Sequence, residues 1–175
     1  MTPEQATFML QSWLPMLQKE HDTTRRVIQA VPPDKGDYRP DEVSKTALEL
    51  AWHIAASEQR FFRAIANGAF DFTPLPRPES IKNSADVAKW FDDSFAESMA
   101  QVAKLSGEQL TKIIDFRGMF QWPAVAFLQL AQNHTIHHRG QLSVYLRPMG
   151  AKVPSIYGES YDAVQERLAK QQAQG

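Results

Sequence analysis

The chain has 175 residues, 43% of them hydrophobic, with 20 acidic and 19 basic side chains and a formal net charge of −1. That size and composition suit one domain, residues 1–175, with a substantial core, and exclude a disordered segment. The even spread of charge, without a dense Lys/Arg cluster, argues against a dedicated nucleic-acid binder. Cysteine is absent, which removes disulfides, thiolate metal sites and cysteine nucleophiles and leaves His, Asp and Glu as possible metal ligands. No apolar run approaches a membrane span, and the opening MTPEQATFML lacks the basic-then-apolar pattern of a secretory signal, so a cytoplasmic protein is expected.

Thr2-Pro3-Glu4-Gln5 is a helix start, with Thr2 as N-cap, Pro3 in the first turn and Gln5 completing a capping box. Ala6, Met9, Leu10, Trp13, Leu17, Thr24, Ile28 and Val31 then recur at helical spacing. Pro15 should kink this helix and Val31-Pro32-Pro33 should end it. His21 lies on the same stripe; it reads as a satisfied core histidine, with metal ligation or ligand support as the alternative.

Asp37-Tyr38-Arg39-Pro40 is an extended link to a second helix, capped by Ser44 and stopped by Gly68. Leu50, His53, Ile54, Ser57, Phe61 and Ile65 share one face of it, and Trp52, Phe62 and Ala66 widen the apolar surface. Residues 70–78 hold Pro74, Pro76 and Pro78 and read as a crossover loop between two halves of a bundle. A third helix starts near Ser84, carries Val87, Phe91, Phe95, Met99, Val102 and Leu105 on one side, and has Gly107 as its expected terminator. Residues 110–116 suggest a strand or a packed extended segment. Pro123 is expected to open a fourth helix ending at 147–150, followed by a short C-terminal helix from Tyr161 to about Lys170 and a Gln-rich end that frays. Four long amphipathic helices satisfy their apolar faces by packing together, so the expected fold is an all-α four-helix bundle.

Three of the five histidines, His134, His137 and His138, fall on the fourth helix. His134 and His138 are spaced i,i+4, one turn apart on one face. At roughly 100° per residue, Phe127, Ala131, His134, His138, Leu142 and Tyr145 form a stripe with these two histidines near its middle. His137 falls on its flank and Arg139 points away. Two imidazoles in an apolar face need a partner, and that partner is either hydrogen-bonding core or a metal ion. Bundles build metal sites from facing helices, and His53 of the second helix is the best candidate for a third ligand.

The pattern Leu50-Ala51-Trp52-His53-Ile54, followed by His134-Thr135-Ile136-His137-His138-Arg139-Gly140-Gln141 and then by Tyr145-Leu146-Arg147 and Gly150, resembles the DinB (damage-inducible) family. That family belongs to the YfiT-like superfamily, whose members are classed as metal-dependent hydrolases. The resemblance spans almost the whole chain. It implies a four-helix bundle, often dimeric, that binds a divalent metal, commonly nickel or zinc, through three histidines falling here on His53, His134 and His138. Related enzymes use low-molecular-weight thiols: a mycothiol-dependent maleylpyruvate isomerase and bacillithiol transferases. The isomerase has a glutamate where this chain has His134, so its substrate is not carried over.

Three imidazoles leave open positions on a metal, the arrangement of catalytic rather than structural zinc. Such a site lowers the pKa of water toward ~7, polarises a carbonyl or activates a thiol. Glu20, Glu49 and Glu58 lie on the flanking helices but read as surface carboxylates, so no catalytic residue is assigned. Arg139 is expected at a helix or subunit contact, and Gly140 at a close helix approach. Trp52, Trp122, Phe62 and Phe120 offer more apolar surface than a monomeric bundle covers, which points to a homodimer. Three functional readings follow: a metal-dependent hydrolase or thiol transferase acting on a small molecule, a non-catalytic metal-binding module of a stress response, and a bundle whose histidines are merely core or surface.

Overall fold

Thr2 accepts a hydrogen bond from the Gln5 backbone and Gln5 Oε1 accepts one from Thr2 N–H at 2.9 Å, so the capping box opens α1 (Pro3–Gln29) as the sequence predicts. The structure, a computed structural model, describes residues 1–173; the fraying expected of the final residues falls partly on 174–175, outside the described residues. Helix α1 continues through Pro15. A 3-10 turn (Pro33–Lys35) leads to α2 (Ala47–Asn67), which is capped by Thr46 with Glu49 closing the box. Ser44, the expected cap, instead folds onto Asp41, whose carboxylate accepts from both its backbone and its hydroxyl at 2.8 Å. Gly68 ends α2 in the left-handed region at φ 69°, as its position predicts.

After the irregular crossover loop comes α3 (Ser84–Val102), capped by Asn83. Gly107 does not end that helix. It is the first residue of a short α4 (Gly107–Thr111), for which Ser106 and Gln109 form another capping box. The extended segment is a real strand, β1 (Ile113–Phe116), paired antiparallel with β2 (Phe120–Pro123) in the register Ile114↔Trp122. Pro123 therefore closes a strand, and α5 (Ala126–Leu146) starts after it. The last element, α6 (Tyr161–Gln172), buries none of its side chains and is tied to the body through Arg147 and Asp162 at 3.0 Å.

Helix α2 packs on α3 and α5, and α1 packs on the same two, so the four long helices enclose a common interior. That interior holds two apolar clusters. One gathers Ile28, Leu50, Ile54, Phe91, Leu142 and Leu146; the other gathers Leu10, Leu17, Phe62, Phe95, Phe127 and Leu128. Between these sets α1, α2 and α5 bury polar residues: His21 and Thr24 in α1, Glu58 in α2, Thr135 and Arg139 in α5. The hairpin and α4 close one end. Among the described residues no helix is long and apolar enough to cross a membrane. The all-α bundle with a crossover loop and a short C-terminal helix is the fold the sequence predicts.

Two glycines behave differently. A Cβ on Gly107 would stand 2.5 Å from the Pro3 carbonyl oxygen, so this glycine lets α4 lie against the start of α1. At Gly140 nothing lies within 4 Å, and the close helix approach expected there does not occur. Gly107→Ala should lower stability by about 1–3 kcal/mol through overpacking. Gly140→Ala should be neutral or stabilising by up to ~1 kcal/mol through helix propensity. Denaturant melts of the two variants check this pair, and equal effects would contradict it.

Candidate metal centre

Where α2 faces α5, His53 meets His134 and His138. The Nε2 atoms of His53 and His138 are 3.0 Å apart, and the ring centroids are 5.1 Å (His53–His134), 4.4 Å (His53–His138) and 4.4 Å (His134–His138) apart. One ring nitrogen from each lies within 4.8 Å of the other two. All three side chains are half-buried, and Phe61 closes one side of the group with its ring 5.7 Å from His134. His137 is exposed and outside the group.

The buried stripe of α5 is not the one expected. It runs through Leu128, Ala131, Thr135, Arg139, Leu142 and Leu146, and it leaves His134 and His138 on its edge, toward α2. Arg139, only 1% exposed, is at its centre. Its guanidinium donates to Glu20 Oε2 at 2.6 Å, to the Tyr157 hydroxyl at 2.6 Å and to Thr24 Oγ1 at 3.3 Å. The role at a helix contact stands, but the contact is a buried ion pair with α1. A binary apolar pattern misses such a pair, because it counts an arginine as outward whatever it meets.

The carboxylates divide the same way. Glu20 is committed to Arg139, and Glu49 is exposed and holds the α2 cap. Glu58 is 6% exposed rather than a surface group, and burial pushes its carboxyl above the usual range. It lies 3.2 Å from His21 Nδ1 and accepts from Thr135 Oγ1 at 3.4 Å. His21 Nε2 lies 3.0 Å from Asp92, and its ring stacks on Phe95 with centroids 3.9 Å apart. Both His21 nitrogens are thus occupied, and it is a core histidine and no part of the metal group.

The outer contacts of the histidine group set its chemistry. Gln141 Oε1 lies 2.7 Å from His138 Nδ1; an amide oxygen only accepts, so Nδ1 carries the proton and Nε2 presents a lone pair. That lone pair meets either a proton on His53 Nε2 or a cation held by both. His134 Nδ1 is buried with no hydrogen-bond partner among the described residues. Two nitrogens bound to one ion at about 2.0–2.1 Å stand roughly 2.8–3.4 Å apart for right-angle to tetrahedral geometry, so the His53–His138 spacing of 3.0 Å and the unpartnered His134 nitrogen fit a divalent ion.

Burial, reinforced by the neighbouring imidazoles, pushes His53 and His134 down to about 4. His138 is lowered chiefly by burial, against the opposing effect of its hydrogen bond to Gln141. At neutral pH His53 and His134 are therefore uncharged, the ligating form, and His138 is shifted the same way.

The chain is thus a helical bundle that converges three imidazoles from two facing helices on one point that could hold a metal ion. This chain belongs to the DinB family, whose sequence pattern matches residues 5–172. It is 32% identical over 131 residues to YjoA of Bacillus subtilis (strain 168), covering 74% of this chain and 83% of that protein. It is 27% identical over 156 residues to YrdA of the same organism, covering 85% and 86%. The crystal structure of the DinB-like YjoA superposes with a TM-score of 0.67 at 27% identity, over 87% of this chain and 99% of that one. A DinB-like protein from Bacillus cereus ATCC 10987, at 24% identity and TM-score 0.65 over 85% of this chain and 95% of that one, shares the fold.

The separation of the buried polar layer from the histidine group is open to test. Glu58→Ala should cost about 3 kcal/mol of folding stability, because it strands His21 and Thr135 in the interior. Histidine-group substitutions in metal-free protein should cost far less. Equilibrium denaturation distinguishes the two, and a Glu58→Ala variant as stable as the parent would contradict the assignment.

Proposed function

We propose that the chain is a metal-dependent enzyme that holds a divalent ion, nickel or zinc, through His53, His134 and His138. The observation that carries this is the convergence of three half-buried imidazoles, His53 and His138 with Nε2 atoms 3.0 Å apart. Bound there with open positions, the ion would act as a Lewis acid toward water, a carbonyl or a thiol. The chain's own contribution is to keep its ligands deprotonated by burial, to fix the His138 tautomer through Gln141 and to shield one side with Phe61.

Among the described residues no carboxylate joins the group. Hydrolysis calls for a base to accept the proton of water, whereas a thiol with a pKa near ~8.5 loses its proton readily beside a cation. Of the two reactions, transfer of a low-molecular-weight thiol to a small electrophile is favoured. The same lack of a base supports the second reading, a non-catalytic metal-binding module of a stress response. Thiol-dependent consumption of electrophiles by metal-loaded protein separates the two.

The chain also pairs, in our reading, as a homodimer. Trp52 and Phe62 are buried in the core and contribute nothing to an outer face, which corrects part of the sequence argument. Exposed apolar side chains occur elsewhere, Phe8 (72%) and Val144 (72%) among them, and the hairpin gathers three within ten residues: Ile113 (56%), Met119 (64%) and Trp122 (40%). Light scattering at micromolar concentration should give a dimer that Trp122→Glu weakens; a monomeric parent protein would refute the pairing.

Metal binding gives the decisive variants. In protein purified without a histidine tag, His138→Ala should weaken nickel or zinc binding by about 100-fold or more and His137→Ala by less than roughly threefold, since outer residues cost less than ligands. Equal losses would show that the wrong helix face was chosen. The pH dependence follows from the lowered values. An unfolded histidine titrates near ~6.5, and folded His53 and His134 near about 4. Between those values the unfolded chain binds more protons, so stability is fully present above ~6.5 and is lost as pH falls toward about 4. Metal should accordingly be retained at pH 6 and released as pH approaches about 4, lower than an unperturbed histidine implies. Equilibrium dialysis across that range would contradict this if release were centred at 6.5.

A further inference from the structure

A cavity of about 400 Å³ opens beside His53, between α2 and the crossover loop. Glu49, His53, Ser57 and Arg60 follow one another at three- or four-residue steps along α2, so they share a face, and Lys45 stands just before the helix. The opposite wall is Pro74 and Leu75. Two bonds fasten that wall: the Trp52 indole N–H donates to the Leu75 carbonyl at 3.2 Å, and the Arg60 guanidinium donates to the Thr73 carbonyl at 3.0 Å.

The charges of this cavity are unbalanced. Neither Lys45 nor Arg60 is ion-paired among the described residues. Glu49 is a carboxylate held by the Thr46 backbone N–H at 2.8 Å, and Asp71 is held by the Thr73 backbone N–H at 2.8 Å, so the cavity lining itself carries two cations against one carboxylate. Lys45 and Arg60 line the same cavity as His53. Cations placed beside a group that would itself hold a divalent ion repel that ion, unless an anion is shared between them.

We propose that this cavity is the subsite for an anionic oxygen group, carboxylate or phosphate, on a small molecule whose reacting end lies at the histidine group. This deepens the metal-enzyme reading and rests on it for that reacting end. Arg60 holds the anion: the residue is half-buried, and one edge of its fork is already oriented by the loop carbonyl. Arg60 is seven residues beyond His53, roughly 10 Å along the helix, and helical side chains lean back toward the N-terminus. The span suits a molecule the length of a substituted aromatic ring or a short aliphatic chain, with its apolar body against Trp52 and Leu75. Lys45 is exposed and acts at longer range, adding attraction without a fixed contact.

Phenylacetate, phenyl phosphate and the neutral phenylacetamide serve as probes, titrated calorimetrically into full-length protein loaded with nickel and into chelator-treated protein. The expected result is that at least one anion binds in both forms roughly tenfold tighter than the amide, and more weakly as salt is raised. The tighter of the two anions identifies the group the site takes. Arg60→Gln should remove that preference and Lys45→Gln should reduce it roughly two- to threefold, whereas Arg63→Gln, in a neighbouring cavity that Arg60 also lines, should leave it unchanged. If Arg60→Gln fails to fold, the salt dependence and Lys45→Gln decide. Anions binding no better than the amide to nickel-loaded protein, or a preference that survives Arg60→Gln, would overturn the subsite. An Arg60-dependent preference in protein that takes up no metal would refute the metal reading alone and leave the subsite standing.

Discussion

Helices α2 and α5 are packed so that three half-buried imidazoles face one another with no carboxylate among them. Left to themselves, such groups would separate or take up water, since each buried nitrogen without a partner costs free energy. They are held because the rest of the bundle fixes the helices. Apolar clusters lie on both sides of this level, and the capping boxes of α1 and α2 fix where those helices begin. Stability gained elsewhere offsets an arrangement that is locally unfavourable without an ion, which is the usual relation between a scaffold and its site.

The polar layer between the two clusters constrains the register of that scaffold. His21 lies between Glu58 and Asp92, so it ties α1 to α2 and α3 at once. Arg139 reaches Glu20 and Thr24, and so ties α5 to α1. Sliding either pair of helices by one turn would strand a buried charge, at a cost far above that of a shifted leucine. These contacts thereby set the height at which His134 and His138 meet His53. They act on the site only through the backbone, for none of them touches the histidine group.

Much of this was legible in the sequence, and the misses have physical causes. The Thr2 box and the Gly68 stop follow from local chemistry that tertiary structure rarely overrides. The α2 cap was displaced by two residues because Ser44 had a better partner in Asp41. The first strand is legible as the extended segment within 110–116, but its return strand is not, because the turn places Arg117 at φ 56° before Gly118 where an Asn-Gly pair would mark a hairpin. Among the candidate ligands, His53, His134 and His138 do come together, although the helix face was drawn too far toward the histidines. Arg139, Glu20 and Glu58 read as outward from their charge alone, yet Arg139 and Glu58 are buried and Arg139 is paired with Glu20. Partners that neutralise one another across 119 residues of chain are invisible to a periodicity argument.

The central claim is that the three imidazoles share one ion. Diffraction from crystals of tag-free protein grown with nickel, recorded on both sides of the nickel absorption edge, tests it most directly. The account predicts one anomalous peak per chain, bonded to a ring nitrogen of each of His53, His134 and His138. Full-occupancy nickel bound elsewhere, with no peak among these three side chains, would contradict it.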